Sequence, residues 1–483
     1  MSDLLAARSQ MAVSLMFHIL FAVAGMAMPV LMVTAEIAWR RTGDPVYLDL
    51  TRRWARGTAI LFAVGAVSGT VLSFELGLLW PRFMAQAGAV IGMPFSFEGF
   101  AFFTEAIFLG IYLYGWNVVS PRAHIAAGCV VALSGMLSAA FVVCANAWMN
   151  TPAGFDRAQA LGSRLLRVDP IAAMLNPAAV PQALHMVIAA YAAVGFAVAG
   201  IHAAVLLRHP ADRFHRAALA IALLIGVPAA LLEPLSGDLL GQMLGARQPV
   251  KLAALEGQWK TEAGAPLRIG GLPDPAAHVT RGALEIPYGL SLLAYHDPHA
   301  VVHGLDEVAA AERPNVVLVH LSFQLMVACG SAMALLALAL AVAAWRRGGL
   351  PIGDDGDGDG GDGDGGDGEE GDAGGRREAD GGSGDHRGGR WLLRCLVVVS
   401  PLGLVAIESG WMVTELGRQP WIIQGLLKTA DAVTPMPGLQ LPFAAISAVY
   451  LVLGVIVVQL LRRHVLSTLP ATSTTPETSP LRG

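Results

Sequence analysis

The sequence has little charge. Only 14% of its 483 residues are Asp, Glu, Lys or Arg, whereas soluble domains contain about 25%. Apolar residues make up 54% of the chain, and its mean hydropathy is +0.56. This composition excludes a soluble enzyme, a disordered chain and a collagen, and it predicts a protein of the lipid bilayer.

Cysteine is scarce as well. The four cysteines, Cys129, Cys144, Cys329 and Cys395, lie in or beside apolar segments and form no CxxC or CxxCH motif. Their spacing excludes a disulfide scaffold and argues against thiolate metal sites and covalently attached haem. A basic stripe with interleaved aromatic residues is also missing, so we expect no nucleic-acid partner. The N-terminus lacks the basic region and cleavage site of a signal peptide, and we predict a retained first helix.

Long apolar segments dominate the rest of the chain. Each is long enough to cross a hydrocarbon core of about 30 Å as a helix. The nine segments are 12–39, 57–79, 95–118, 124–149, 181–207, 216–236, 317–345, 391–416 and 441–461. The predicted fold class is therefore all-α, a polytopic membrane protein with six spans in 1–236, a seventh in 317–346 and two more in 391–463.

Three polar regions interrupt or follow these spans. The stretch 237–316 is too hydrophilic to insert and is predicted to be an extramembrane loop. The region 347–390 is a Gly/Asp-rich linker whose part from 353 to 390 holds 13 acidic and 4 basic residues, a composition typical of a flexible, self-repelling segment. The tail, 464–483, is predicted to be disordered.

Lysine and arginine indicate the orientation. With the N-terminus outside, the inner connections hold 19 Lys and Arg residues, and the outer ones hold 7 once the long loop is left aside. Because positive charge favours the cytoplasmic side, we place the N-terminus and the loop 237–316 in the periplasm and the C-terminus in the cytoplasm.

Several polar or metal-ligating side chains fall inside the predicted spans. An ionisable group there costs about 2.5–3.5 kcal/mol on insertion scales, so it calls for a partner or a function. The residues are His18, Glu98, Glu105, His185, Met326, Glu408 and Glu415. From the predicted topology, all of them except Glu105 and Glu415 are assigned by helical rise to the outer half of the membrane. This clustering favours metal centres stacked under the outer surface.

The residue types suggest specific roles, each with a simpler alternative. His185 and Met326 form the His/Met pair suited to a six-coordinate haem iron; the alternatives are an interhelical hydrogen bond for the imidazole and plain packing for the thioether. His18 has no polar sequence neighbour, which favours a metal or cofactor. Glu98 and Glu105, seven residues apart on one helix face, suit a proton relay or protonated carboxyls that bridge helices.

Three further sites have ordinary interpretations. His202 and His320 stand near helix ends, where snorkelling of the side chain toward water accounts for them. The loop segment from Pro249 to Glu262 has apolar residues at helical spacing, and its charges are expected on a solvent-exposed face of a short surface helix.

Six stretches resemble one family. They keep their order along the chain and include an unusual ELGRQPW motif beside an intramembrane glutamate. They are RSQMAVSLMFHILF from Arg8, FEGFAFFTEAIFLGIYLYGW from Phe97, NAWMNTP from Asn146, KLAALEGQW from Lys251, FQLMVACG from Phe323 and ESGWMVTELGRQPW from Glu408. In these stretches the chain resembles subunit I of the cytochrome bd-type quinol oxidases, terminal oxidases of the bacterial inner membrane.

The resemblance implies nine helices, a periplasmic Q-loop and three haems: a low-spin haem b, a high-spin haem b and a haem d or third haem b. His185 and Met326 match the low-spin ligands, and His18 and Glu408 match the high-spin ligands, whose distribution between the two haems stays open. Glu98 matches the acid at the high-spin haem pair, and is thus also a cofactor-binding residue, and Glu105 matches the next acid on the proton path.

The resemblance also implies a substrate and partners. Lys251 and Glu256 match the pair that oxidises quinol, taken here as ubiquinol. The implied reaction is reduction of O2 to water with cytoplasmic protons, which builds a proton gradient without pumping. A second membrane subunit, and small accessory subunits, are implied as partners. The competing hypothesis from the residues is a proton-coupled transporter that uses the same acids.

Two features depart from many relatives. The residue two before the methionine is Gln324, where many relatives have an arginine, and the predicted Q-loop is short. Together they resemble the cyanide-insensitive branch of the family, in which haem d is not always evident, so the third haem stays open between d and b.

Overall fold

The computed structural model describes residues 1–156, 165, 167–347 and 382–466. Most of the predicted acidic linker, 347–390, and of the predicted tail, 464–483, lies outside the described residues.

The described part of the chain contains nine helical spans, each long and apolar enough to cross a membrane. Eight are single helices, and the eighth span in chain order consists of two helices that meet at Ser400 and Pro401. They are α1 (Asp3–Thr42), α2 (Pro45–Leu79), α3 (Pro81–Tyr114), α4 (Pro121–Asn150), α6 (Ala179–Leu206), α7 (Arg213–Arg247), α10 (Val316–Arg347), α11 (Gly382–Val399) with α12 (Leu402–Leu416), and α14 (Gln440–Leu461). The prediction of an all-α, nine-span protein is confirmed.

Local sequence explains several helix ends. Proline occupies the first position of α2 and α4, where its missing N–H needs no partner. The preceding Asp44 and Ser120 accept hydrogen bonds from main-chain N–H groups of the first turn, as N-caps do. Helix α1 ends at Gly43, whose φ of 71° is a left-handed conformation that glycine adopts without strain.

Several helices are longer than predicted. The sixth span, predicted to end at 236, continues as α7 to Arg247, and the third begins at Pro81 instead of 95. The prediction followed hydropathy, which marks the stretch buried in hydrocarbon, whereas the helical hydrogen bonds continue beyond it. The connection between α7 and the next span, predicted to be extramembrane, therefore begins at Gln248, directly after α7.

Short elements build the loop between α7 and α10. Two short helices accompany three two-stranded antiparallel pairs, β1 with β6, β2 with β5 and β3 with β4. The elements are α8 (Pro249–Glu256), β1 (Glu262–Ala263), β2 (Leu267–Ile269), β3 (Leu272–Asp274), β4 (Val279–Arg281), β5 (Leu284–Ile286), α9 (Gly289–Tyr295) and β6 (Val301–Val302). Elsewhere, the short α5 (Pro170–Met174) precedes α6, and β7 (Trp421–Ile423), β8 (Leu427–Lys428) and α13 (Thr429–Ala432) join α12 to α14.

Close helix packing holds the bundle together. Helices α1 with α2, α3 with α4, and α6 with α7 are packed neighbours, and α6 and α10 each pack on both α7 and α12. Glycine allows a close approach: a Cβ built on Gly195 of α6 would lie 2.6 Å from the Cα of Gly226 on α7. Small residues let membrane helices approach in this way.

Replacing Gly195 by valine should therefore loosen the contact between α6 and α7. Overpacking of this kind costs about 1–3 kcal/mol, so we expect a lower melting temperature of the purified protein in detergent. Gly330→Val in α10 is the matched control, because nothing lies within 4 Å of a Cβ at that glycine. Equal melting temperatures for the two variants would contradict the packing argument.

Candidate functional site

His18 is held by a serine of the neighbouring helix. Its Nδ1 lies 3.0 Å from the Ser68 hydroxyl on α2, and that hydroxyl donates to the main-chain oxygen of Val64 at 2.9 Å. Because the serine proton is used there, His18 Nδ1 is the donor and Nε2 keeps its lone pair. A Cβ on Gly69 would lie 2.9 Å from the ring, so glycine makes room for the imidazole.

His185 repeats this arrangement between α6 and α7. Its Nδ1 lies 2.9 Å from the Ser236 hydroxyl, which donates to the Glu233 main-chain oxygen at 2.9 Å. The Glu233 carboxyl lies 3.2 Å from the same nitrogen. Nε2 is again the nitrogen with a lone pair. Metal-ligating histidines commonly donate their other ring N–H in this way, which fixes the ring and its tautomer.

Met326 lies on α10 against α12. A Cβ built on Gly410 of α12 would lie 3.1 Å from the Met326 sulfur, so the absence of a side chain there gives the thioether its space. His185 and Met326 are thus on two helices, α6 and α10, that share α7 and α12 as neighbours.

Glu408 stands two residues before Gly410 on α12. Both of its carboxylate oxygens are buried, and neither has a hydrogen-bond partner among the described residues. A buried carboxyl without partners costs free energy. Two kinds of partner would satisfy these oxygens: a proton together with a hydrogen-bonding ligand, or a metal ion.

Glu98 and Glu105 lie on one face of α3, as their seven-residue spacing predicts. In the structure this face is turned to α4. The Ser138 hydroxyl donates to Glu98 at 3.4 Å. Glu105 is buried, and a Cβ on Gly135, one turn from Ser138, would lie 3.3 Å from its carboxylate oxygens. The two acids therefore line one seam between α3 and α4.

Lys251 and Glu256 both lie on α8, and both are buried, at 5% and 4% exposure. The expectation that the charges of this segment form a solvent-exposed face is wrong for these two, because α8 packs into a hydrophobic cluster with Trp259, Leu290 and Val319. The two side chains are five residues apart, so they leave the helix in different directions.

The partners of Lys251 come from helix ends. Its ammonium donates to the Asn150 side chain at the end of α4. It also lies 3.4 Å from the Thr414 main-chain oxygen on α12. Burial, helped by nearby Arg418 and opposed by Glu415, lowers the pKa of Lys251 to about 7. Glu415 in turn bonds to Asn146 and Arg418.

Glu256 has fewer partners. Its Oε2 is buried without a hydrogen-bond partner among the described residues. Burial raises the pKa of Glu256 to about 8, and the Arg268 charge partly opposes this shift. The group can therefore gain or release a proton near neutral pH, which is what a proton acceptor requires.

The snorkelling interpretation of His202 and His320 is wrong. Both side chains are buried. His202 Nδ1 lies 2.8 Å from His215 Nδ1, and both nitrogens of His320 face main-chain oxygens. Tertiary partners, invisible in the sequence, satisfy these rings.

Sequence reasoning overlooked two buried acids. Glu75 on α2 accepts a hydrogen bond from Gln10 at 2.8 Å, and Glu36 on α1 is bonded to Arg40 and to His124 of α4. Both glutamates stand in apolar runs, so the cost argument applied to Glu98 would have found them. Ser68 and Ser236 gave no comparable signal.

The comparisons with known proteins agree on one family. The sequence profile described as cytochrome bd terminal oxidase subunit I matches residues 6–468. The chain belongs to this family. A Bacillus subtilis (strain 168) protein assigned as a cytochrome bd menaquinol oxidase subunit I is 36% identical over 96% of this chain and 98% of its own. The cytochrome bd-II ubiquinol oxidase subunit 1 of Escherichia coli (strain K12) is 28% identical over 92% of each chain.

A solved structure agrees with these relatives. The chain is similar to one in the bd oxidase from Geobacillus thermodenitrificans, with 34% identity, a TM-score of 0.82, and coverage of 96% of this chain and 98% of that one. The membrane-spanning fold of the described residues is therefore that of a bd oxidase subunit.

The family implies haem, and the donor set of this cytochrome bd subunit fits it. His18 and His185 each keep one ring nitrogen with a lone pair, Met326 offers a thioether, and Glu408 has two unpartnered oxygens. In the described residues no three His, Cys, Asp or Glu side chains form a site for a bare metal ion. Haem iron needs only one or two axial ligands from the protein.

Ser236→Ala tests whether the serine prepares His185 as a ligand. Loss of such a partner commonly lowers metal affinity about 10- to 100-fold, so we expect less haem per protein after purification. Haem extraction and spectrophotometry measure this content. Ser447→Ala in α14 is the control, because its hydroxyl bonds to its own helix; equal haem content in both variants would contradict the role of Ser236.

Proposed function

We propose that this chain is the haem-bearing subunit of a terminal quinol oxidase. It would oxidise quinol at the periplasmic side and reduce O2 to water with cytoplasmic protons. Membership of the cytochrome bd family supports the reaction class. The observation that carries the proposal is the donor set itself: two serine-held imidazoles with a lone pair, a thioether beside a glycine, and an unpartnered carboxyl.

The ligand assignments are those that the family resemblance implies, and these donors are compatible with them. His185 and Met326 would hold a low-spin haem b, and His18 and Glu408 would hold a high-spin haem b and a haem d or third haem b. Haem iron, when bound, supplies one-electron transfer and, where one position stays open, O2 binding. The chain contributes fixed ligands, and the hydrogen bonds to Ser68 and Ser236 keep the two imidazoles in one tautomer.

Quinol oxidation is assigned to α8. Glu256 would accept a quinol proton, and Lys251 would orient a quinol oxygen through its ammonium. The relatives include a ubiquinol and a menaquinol oxidase subunit, so we name the substrate as a quinol. Protons released there would leave to the periplasm.

Glu105 and Glu98 would carry protons inward from the cytoplasm for water formation. They line the same α3–α4 seam, and the buried position of Glu105 supports transfer away from bulk water. With the N-terminus and the loop outside and the C-terminus in the cytoplasm, protons are taken up on one side and released on the other. Charge is then separated without a pump, worth about 2.3 kcal/mol per charge per 100 mV.

The setting follows from the family. The chain would lie in the bacterial inner membrane. Its partners would be a membrane subunit II and small accessory subunits. A proton-coupled transporter would use Glu98 and Glu105 equally well, but it gives no reason for the arrangement of His18, His185 and Glu408.

Met326→Leu tests the low-spin assignment. Leucine keeps the volume and removes the sulfur, so we expect the low-spin band of the reduced-minus-oxidised spectrum to disappear and the high-spin bands to remain. Met333→Leu, a buried packing methionine on the same helix, should leave the whole spectrum unchanged. An unaltered low-spin band in Met326→Leu would reject this ligand.

Glu256→Gln tests the proton acceptor. Ionised Glu256 accumulates above its pKa of about 8, and charged Lys251 persists below its pKa of about 7, so the active combination is most populated between these values. We therefore expect a bell-shaped pH profile of quinol turnover with its maximum between about pH 7 and 8.

In the variant, turnover should fall about 100-fold, as expected for loss of a general base, and the limb that rises with pH should vanish. Glu312→Gln, an exposed acid of the same loop, is the control. Steady-state assays with a short-chain quinol measure both. Wild-type turnover in Glu256→Gln would contradict the assignment of Glu256 as proton acceptor.

A further inference from the structure

The outer turn of α10 carries a histidine whose two ring nitrogens both face acceptors. His320 is fully buried. Its Nδ1 lies 2.7 Å from the Leu255 main-chain oxygen of α8, and its Nε2 lies 3.1 Å from the Gly270 main-chain oxygen. A neutral imidazole has one donor and one acceptor, whereas imidazolium has two donors. Two carbonyl partners are satisfied together only by the imidazolium.

Gln324 lies one turn further along the same face of α10. Its Oε1 accepts from the Gly270 N–H at 2.9 Å, and its Nε2 donates to the Arg268 main-chain oxygen at 3.0 Å. Gly270 thus has both of its main-chain groups bound by α10. The φ of 68° at Gly270 and 90° at Gly271 lets the chain turn sharply there.

The hydrogen bonds at position 324 suit an amide side chain. Gln324 accepts one hydrogen bond and donates another, and an arginine or lysine side chain has no acceptor. A neutral amide meets both requirements.

We propose that His320 and Gln324 form an outer clamp that positions α8, with Lys251 and Glu256, on the helix that carries Met326. These two are positioning residues, since they hold main chain and act on quinol through α8. The inference rests on the proposed function for the role of α8 in quinol oxidation. The clamp itself stands on the four hydrogen bonds.

Other charges near the clamp belong to three elements. Glu256 on α8 follows Leu255 directly, and the guanidinium of Arg268 on β2 bonds to Gln258 and to Glu285 at 2.9 Å. On β3, Asp274 is paired with Arg281. Glu256 is the only one of these acids with a buried, unpartnered oxygen in the described structure.

Hydrogen–deuterium exchange of the 264–282 segment tests the clamp in the whole purified protein without quinol. At one pH and after correction for intrinsic rates, we expect exchange in this segment to quicken about tenfold in Gln324→Met, which loses both side-chain hydrogen bonds to the segment. His320→Leu, which loses the contacts of both ring nitrogens, should also exchange about tenfold faster.

His303→Gln, an exposed histidine of the same loop, is the matched control and should behave like the wild type. Wild-type protection of the segment in both Gln324→Met and His320→Leu would overturn the clamp.

Kinetics then tests its consequence for quinol. In His320→Leu the KM for a short-chain quinol should rise about tenfold, while O2 reduction driven by a water-soluble mediator stays within twofold. If the wild type oxidises quinol and His320→Leu has the same KM, the positioning role alone is overturned. A wild type that reduces O2 with the mediator but never oxidises quinol contradicts the proposed function, and the clamp is then judged by exchange.

Discussion

The structure depends on a simple constraint of the bilayer: a polar side chain inside it must find a partner. His18 and His185 meet this constraint on one ring nitrogen only, through Ser68 and Ser236 of the adjacent helices. Each serine hydroxyl donates its own hydrogen bond to a main-chain oxygen of its helix, so the imidazole is the donor in the bond between them. One interaction therefore joins two helices and leaves the second ring nitrogen with a lone pair.

The same constraint explains the chemistry of α8. This short helix is packed among the ends of α4, α10 and α12, so Lys251 and Glu256 are removed from water although they lie outside the hydrocarbon. Their burial moves both pKa values toward neutrality. A lysine and a glutamate that would be charged at neutral pH in water thus have pKa values near neutrality here, and burial is the main cause of both shifts.

The sequence was sufficient for the architecture, because hydropathy over about 20 residues is a strong signal. It also indicated His18, Glu98, Glu105, His185 and Glu408 as costly intramembrane groups. It failed where the answer depended on contacts distant in the chain: α8 looked amphipathic because its covering residues come from α9 and α10. His320 looked like a snorkelling side chain because its acceptors, Leu255 and Gly270, lie 50 or more residues away. Helix ends were misplaced because hydropathy reports lipid contact and not helical hydrogen bonding.

Helix α7 continues without interruption from the span that bears Ser236 to Arg247, and α8 starts at Pro249. No slack chain separates the residue that holds His185 from the helix that holds Lys251. Because each helical residue turns the chain by about 100°, a one-residue insertion between them would swing α8 around the bundle instead of lengthening a tether. A change in the length of this segment therefore keeps Ser236 and Lys251 in the same angular relation only when it adds or removes whole helical turns.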